Sequence, residues 1–359
     1  MLPKRNPHEI TKARGADSRP ANRFDALRSE AEHDGWDIPE EDRLLRTEIT
    51  DEEPRSIITR NNSPDVPFDR SINPYRGCEH GCIYCFARPS HAYWGLSAGL
   101  DFETKITAKP NAAALLAREI GKRGYQCAPI AFGTNTDPYQ PVEAQRAIMP
   151  DLWRVLLDWN HPASLVTRGK TVLRDLDLLA SMAARDLIHV GISVTTLDPD
   201  LSRRMEPRAP APATRLRMIR ELADAGIPVR VMVAPVIPVL TEPDIEAILT
   251  AAHEAGARYA SMIPVRLPHE VAPLFRDWLA RHLPGRADYV MRRISDMRGG
   301  RDNDPRFGHR MRGEGVEAEL MRQRFRLARK RLGYFEAPPA LDCSRFARPP
   351  RQGDQLALF

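Results

Sequence analysis

Hydrophobic and polar positions follow two rhythms along this chain. From about residue 69, short β-branched or apolar runs recur, each trailed by a longer stretch with apolar residues at helical spacing. The runs are Ser71 to Tyr75, Pro129 to Gly133, Ala163 to Thr167, Ile188 to Val194, Val229 to Ala234 and Arg258 to Ile263. Helical patterns cover Val142 to Trp159, Val172 to Ala184, Arg215 to Ala225 and Pro243 to Ala255. Gly226 and Gly256 stand where glycine caps end a helix, each before the next strand. Strand–helix units of this length suit parallel pairing and predict an α/β fold, either an open doubly wound sheet or an incomplete barrel.

The flanks break the rhythm. Residues 1–55 are rich in Pro, Arg, Asp and Glu and read as a polar N-terminal arm, mobile or wrapped round the core. Residues 56–265 read as the α/β body, 266–336 as a basic helical extension, and 337–359 as an extended tail rich in Pro, Arg and Gly. The 53 basic and 48 acidic side chains leave a net charge of only +5. The excess is local: residues 286–331 hold 14 Arg plus Lys against 7 Asp plus Glu. A polyanionic partner would meet it there. No apolar run approaches the roughly 18 residues that span a bilayer, and Met1 to Arg23 lacks the apolar stretch of a signal peptide, so a cytoplasmic protein is expected.

Cysteine placement turns the picture toward chemistry. Of the five cysteines, Cys78, Cys82 and Cys85 sit within eight residues, too close for a disulfide framework and suited to metal in a reducing compartment. Three thiolates fit three irons of a cubane and leave the fourth iron open. Gly77 and Gly81 would let backbone wrap round a bulky inorganic core, and Tyr84 is placed to pack beside the adenine of a bound nucleotide. The alternative is a zinc site, with His80, Cys127 or Cys343 supplying the fourth ligand.

The loop Asn73-Pro-Tyr-Arg-Gly-Cys-Glu-His-Gly-Cys-Ile-Tyr-Cys-Phe-Ala-Arg88 resembles the radical S-adenosylmethionine (SAM) superfamily, and within it the spore photolyase group. The resemblance covers about residues 65–265. It implies a partial (β/α)6 TIM-type barrel, a 4Fe-4S cluster on Cys78, Cys82 and Cys85, SAM chelated to the open iron, an electron donor such as flavodoxin or ferredoxin, and reductive cleavage to a 5'-deoxyadenosyl radical. In Gly133-Thr-Asn-Thr-Asp-Pro-Tyr-Gln-Pro-Val-Glu143 it assigns Thr136, Asp137 and Glu143 to the SAM amino and ribose groups. Arg168, where relatives carry lysine, would pair with the SAM carboxylate. Ser193, Glu206 and Arg215 match further strand-end positions, with a structural ion pair as the other reading of Glu206 and Arg215. Backbone of Ala234-Pro-Val-Ile-Pro238 would meet adenine. All these segments follow strand C-termini, the face that carries active sites in barrel enzymes. One departure matters: spore photolyases have a hydrogen-donating cysteine where this chain has Thr134, so thymine-dimer chemistry does not carry over.

Residues 306–331 are Arg-rich, with Phe307 and Phe325 available for stacking, and point to nucleic acid. The ending Gln355-Leu-Ala-Leu-Phe359 is similar to the peptide by which bacterial polymerases and repair proteins dock on the sliding clamp. Damaged or modified nucleic acid is the substrate these features suggest. A protein or small-metabolite substrate, or a non-catalytic clamp-tethered protein with a zinc-stabilised loop, are the alternatives.

Overall fold

The apolar runs become strands because parallel strands buried on both faces favour uninterrupted β-branched sequence. In the computed structural model, which describes residues 13–24 and 45–349, they are β1 (Arg70–Ile72), β2 (Ile130–Phe132), β3 (Ala163–Thr167), β4 (Ile188–Ser193), β5 (Val229–Val236) and β6 (Tyr259–Pro264). All six are parallel, and their order in the sheet follows the chain. Thr59–Arg60 adds an antiparallel edge to β1. This sequential order, without closure, is the expected partial barrel.

Helices α1 (Ala112–Ile120), α2 (Ile148–Asp158), α3 (Leu176–Ala183), α4 (Pro212–Asp224) and α5 (Ile245–Glu254) lead from strand to strand. Their buried faces, including Leu152, Trp153, Leu179, Ile219 and Leu249, join Phe132, Leu165, Val190, Ile192 and Val231 in one core. Gly226 and Gly256 hold positive φ of 78° and 106° after α4 and α5, as the cap positions required. The single helix expected over Val142 to Trp159 is instead two, Glu143–Arg146 and α2, hinged at Ala147 with φ 49°. Pro150 explains the break: it belongs in the first turn of a helix, where a missing N–H costs little.

After β6 come α6 (Val271–His282), α7 (Ala287–Asp296) and α8 (Gly315–Leu332). Helix α6 builds a second core, where Val271, Phe275 and Trp278 pack with Cys82, Ile83 and Tyr84 of the cysteine loop. Helix α8 buries Ala318, Met321, Phe325 and Ala328, one stripe at helical spacing. Phe325 is only 8% exposed, which removes it from the expected stacking role. Three of its five arginines are held: Arg324 by Glu242 and Glu246, Arg322 by Glu319, and Arg329 by the Phe335 carbonyl.

The segment after α8 runs under the strand starts. Phe335 donates to Arg258 before β6, Asp342 to Asp186 before β4, and Ala347 to Trp159 before β3. Phe346 stacks among Tyr125, Trp159 and His161. Part of the N-terminal arm is also packed: Arg14 to Asp17 are buried, and Glu48–Asp51 pairs in parallel with the strand Lys105–Ala108. The clamp-like ending Gln355–Phe359 lies outside the described residues.

Candidate metal centre

The cysteine loop sits over the C-terminal ends of the strands and is held mainly by its backbone. Cys78 donates to the Phe102 carbonyl at 2.9 Å, and Ile83 to the Met205 carbonyl at 3.0 Å. The fully buried Arg88 guanidinium donates to the carbonyls of Cys82 (2.9 Å), Gly81 (3.1 Å), Ala98 (3.2 Å) and Gly99 (3.0 Å). Its counter-charge is Glu103, 2.5 Å away, whose carboxylate also accepts the amides of Gly15 and Ala16 at 2.9 and 2.8 Å. A five-donor fork can serve that many acceptors at once.

Gly77 and Gly81 have φ of 74° and 68°. A Cβ at Gly77 would come within 2.9 Å of the Phe102 carbonyl oxygen, and one at Gly81 within 2.7 Å of Glu103 Oε2. The glycines therefore make room for neighbouring protein, which refines the expectation that they clear space for an inorganic core.

Around the thiols the strand ends assemble a charged network. Arg168, after β3, donates from Nη1 to Cys82 Sγ (3.2 Å), Tyr84 Oη (2.8 Å) and Glu206 Oε1 (2.6 Å). Glu206 also binds Arg215 and accepts from Tyr84 and, at 2.9 Å, from Thr195. Arg215 reaches the Ser193 and Pro210 carbonyls at 3.3 and 2.8 Å. Burial pushes the Glu206 carboxyl up, but the charges of Arg215 and Arg168 prevail and hold it at about 2.

Asp137 accepts from Thr167 Oγ1 at 2.6 Å and the Arg168 amide at 2.9 Å, with His80 Nε2 at 3.3 Å. Burial raises its carboxyl; the His80 charge and these hydrogen bonds outweigh that and bring it to about 2. Thr136 spends its hydroxyl on the Tyr75 carbonyl at 2.9 Å.

Of the residues singled out in the sequence, Tyr84, Arg168, Glu206 and Arg215 thus meet in one network beside Cys82, with Ser193 joined through its carbonyl. Asp137 and Thr136 flank Cys78. Glu143 sits in a different cluster: its carboxylate accepts the Ile148 and Met149 amides at the start of α2 (3.2 and 3.0 Å), Arg174 (2.7 Å) and Tyr75. Thr134 accepts from Asn73 Nδ2 at 3.3 Å. Arg88, Glu103 and Thr195 were not anticipated, and His80 was read only as a possible zinc ligand. Glu103 also answers Gly15 and His80 meets Asp137, both far off in sequence, although His80 and Arg88 fall inside the recognised loop and carried that much signal.

Burial drives the Cys78 thiol well above its ordinary value and the Cys82 thiol to about 12. Loading a metal there must therefore release protons. Tetrahedral Zn–S bonds of about 2.3 Å would draw thiolates to within about 4 Å of each other. Among the described residues, the trio of ligand atoms lying within 4.8 Å of one another is that of Asp304, His309 and Glu314, not the cysteines. The three thiols are not gathered that closely.

The comparisons agree with this geometry. Residues 72–252 match the family model described as the radical SAM superfamily. Uncharacterised proteins of Mycobacterium tuberculosis and Mycobacterium bovis are 38% identical over 225 residues, 62% of this chain and 66% of theirs. One from Methanocaldococcus jannaschii is 26% identical over 183 residues, 50% of this chain and 63% of its own. This chain thus spans just under two thirds of the length of these relatives. Among solved structures, spore photoproduct lyase complexed with dinucleoside spore photoproduct superposes with TM-score 0.57 at 14% identity, covering 80% of each chain. A tyrosine variant of that lyase gives 0.58 at 16%, covering 79% of each. These likenesses show the fold, and the family match over half the chain, with the thiol loop inside it, makes this protein a member of the radical SAM superfamily, whose members use a 4Fe-4S cluster and SAM.

Proposed function

We propose that this protein is an enzyme that cleaves SAM reductively and directs the resulting radical at nucleic acid. The observation that carries the first half is the convergence of the buried Cys78 and Cys82 and the half-buried Cys85 with a preorganised cation network at the mouth of a parallel sheet. Cys78, Cys82 and Cys85 would hold the cluster, which when bound supplies the electron that breaks the SAM carbon–sulfur bond. Arg168 is anchored against Cys82 and Glu206, so its remaining N–H groups are aimed without further ordering cost. Tyr84, Thr136, Asp137, Ser193, Glu206 and Arg215 fix that geometry; Glu143 supports it from the start of α2.

Nucleic acid as substrate is supported by the shared fold with a lyase solved on a dinucleoside photoproduct, and by the basic residues 286–331. Thr134 in place of a cysteine separates the chemistry from that lyase's, since a hydroxyl is a poor hydrogen-atom donor. A flavodoxin- or ferredoxin-type electron donor, and clamp docking through Gln355–Phe359, complete the reading. No helix among the described residues is long and apolar enough to cross a membrane.

The test is anaerobic purification. A brown protein with about four irons and four sulfides per chain, forming 5'-deoxyadenosine from SAM and dithionite, is expected. A colourless protein binding one zinc would sink the proposal.

A further inference from the structure

At the rim of the thiol site stands an arginine that forms no ion pair among the described residues. Arg266 follows β6, and its guanidinium lies over the Phe86 ring, 4.4 Å from the centroid. Phe86 is the residue after Cys85 and is 43% exposed. The other arginines near the mouth are committed: Arg168 and Arg215 to Glu206, Arg88 to Glu103, Arg208 to Glu79, Arg310 to Asp65. Arg298 is spent on the carbonyls of Pro264, Val265, His309 and Arg310. Among the described residues, Arg266 has no carboxylate within ion-pair distance and no carbonyl acceptor. Asp65, already paired with Arg310, acts on Arg266 only at longer range, which leaves the half-buried guanidinium room for an anion of its own.

The surroundings say what kind. Arg298 bridges the carbonyls just before Arg266 to those of His309 and Arg310, while Asp65 takes the Gly308 amide at 2.7 Å. The loop 306–313 is thereby pinned beside Arg266. On it Arg310 lies over Phe307 at 4.6 Å, and that ring is 56% exposed. Phe307 and Arg312 line a cleft with Pro64, Asp65, Gly308 and Met311. From the thiols outward, the order is ring, guanidinium, guanidinium, ring.

We infer that Phe86, Arg266, Arg310 and Phe307 form a track for a single nucleic-acid strand, in which Arg266 receives a phosphodiester oxygen nearest the thiols and the two rings stack bases. Aromatic faces set beside cations are how single strands are held without sequence readout. The inference rests on the nucleic-acid substrate proposed above and adds where the strand enters.

The experiment uses the full chain, reconstituted anaerobically, and a labelled single-stranded DNA of about 16 nucleotides, read by anisotropy across a salt series. Arg266→Gln should weaken binding about tenfold and reduce the log–log salt slope by about 0.7, one phosphate's share. Arg266→Lys should keep the slope and recover part of the affinity, because the charge remains while the forked contact is lost. A purely structural role for Arg266 would leave the slope unmoved. Phe307→Ala should weaken binding about fivefold with the slope unchanged. Arg185→Ala on the opposite face, where Arg185 bonds Asn160, is the control and should bind as wild type.

Undiminished binding by Arg266→Gln, or an equal loss from Arg185→Ala, overturns the track. So does competition by thymidine monophosphate or inorganic phosphate as effective as by the strand. Formation of 5'-deoxyadenosine is measured in the same preparations: cleavage together with Arg266-independent binding sinks the track alone, whereas absence of iron and cleavage sinks the reading beneath it.

Discussion

Two sets of arginines divide this molecule. At the mouth, Arg88, Arg168 and Arg215 are buried or nearly so, and each shares a carboxylate that is itself fully enclosed. Along α8, Arg322 and Arg324 meet their glutamates at the surface, with side chains about a third exposed. The first set sits where water is excluded and each charge depends on its partner; the second is screened and replaceable. Counting charges along the sequence identifies the second set as the basic region. Among the described residues, six of the fourteen basic side chains over 286–331 form ion pairs in place, and Arg266, outside that stretch, forms none.

The largest test of this contrast goes through the thiols. Cys82→Ala should eliminate both bound iron and 5'-deoxyadenosine formation, measured by iron analysis and chromatography, while α8 variants keep both. Next, Glu206→Gln leaves Arg168 and Arg215 without their common anion and should cost about 3 kcal/mol in chemical denaturation, since removing one member of a buried charge cluster strands the others. A loss below about 1 kcal/mol would show that the mouth behaves like surface.

Acid titration sharpens the same point. The folded-state values of Glu206 and Asp137, about 2, lie below the ordinary 4.5 and 3.8. The unfolded chain therefore takes up protons first, and the stability these groups give is fully present above about 4.5 and lost as pH falls toward 2. Melting temperature should decline across that window, and Glu206→Gln should flatten the decline. At the small end, Arg324→Ala, which severs Glu242 and Glu246 together, should cost about 1 kcal/mol, and Arg322→Ala about 0.3 kcal/mol.

Much of the fold was legible because local pattern and burial coincide. Ala163–Thr167 forms over the very residues read as a strand, and Ile188–Ser193 ends one residue short. The thiol loop was legible because three cysteines at that spacing have few other uses. What escaped was set by distance. Glu103 answers Arg88 fifteen residues away and Gly15 eighty-eight away, and no periodicity encodes such pairings. Glu143 shows the converse: it lies in a recognisable stretch, yet the hinge at Ala147 turns it into a clasp for the amides of α2. Phe325 was read by composition as exposed, while its spacing with Met321 and Ala328 already placed it on the buried stripe.

The strap from Phe335 to Ala347 bears on the order of assembly. Its anchors lie before β6, before β4, before β3 and, through Tyr125, before β2. None of these sites exists as a surface until the neighbouring strands have paired, so the strap can seat only on a finished sheet. Contacts of such long sequence separation are made late and report on everything beneath them. Seating of the strap therefore registers whether the sheet beneath it has formed.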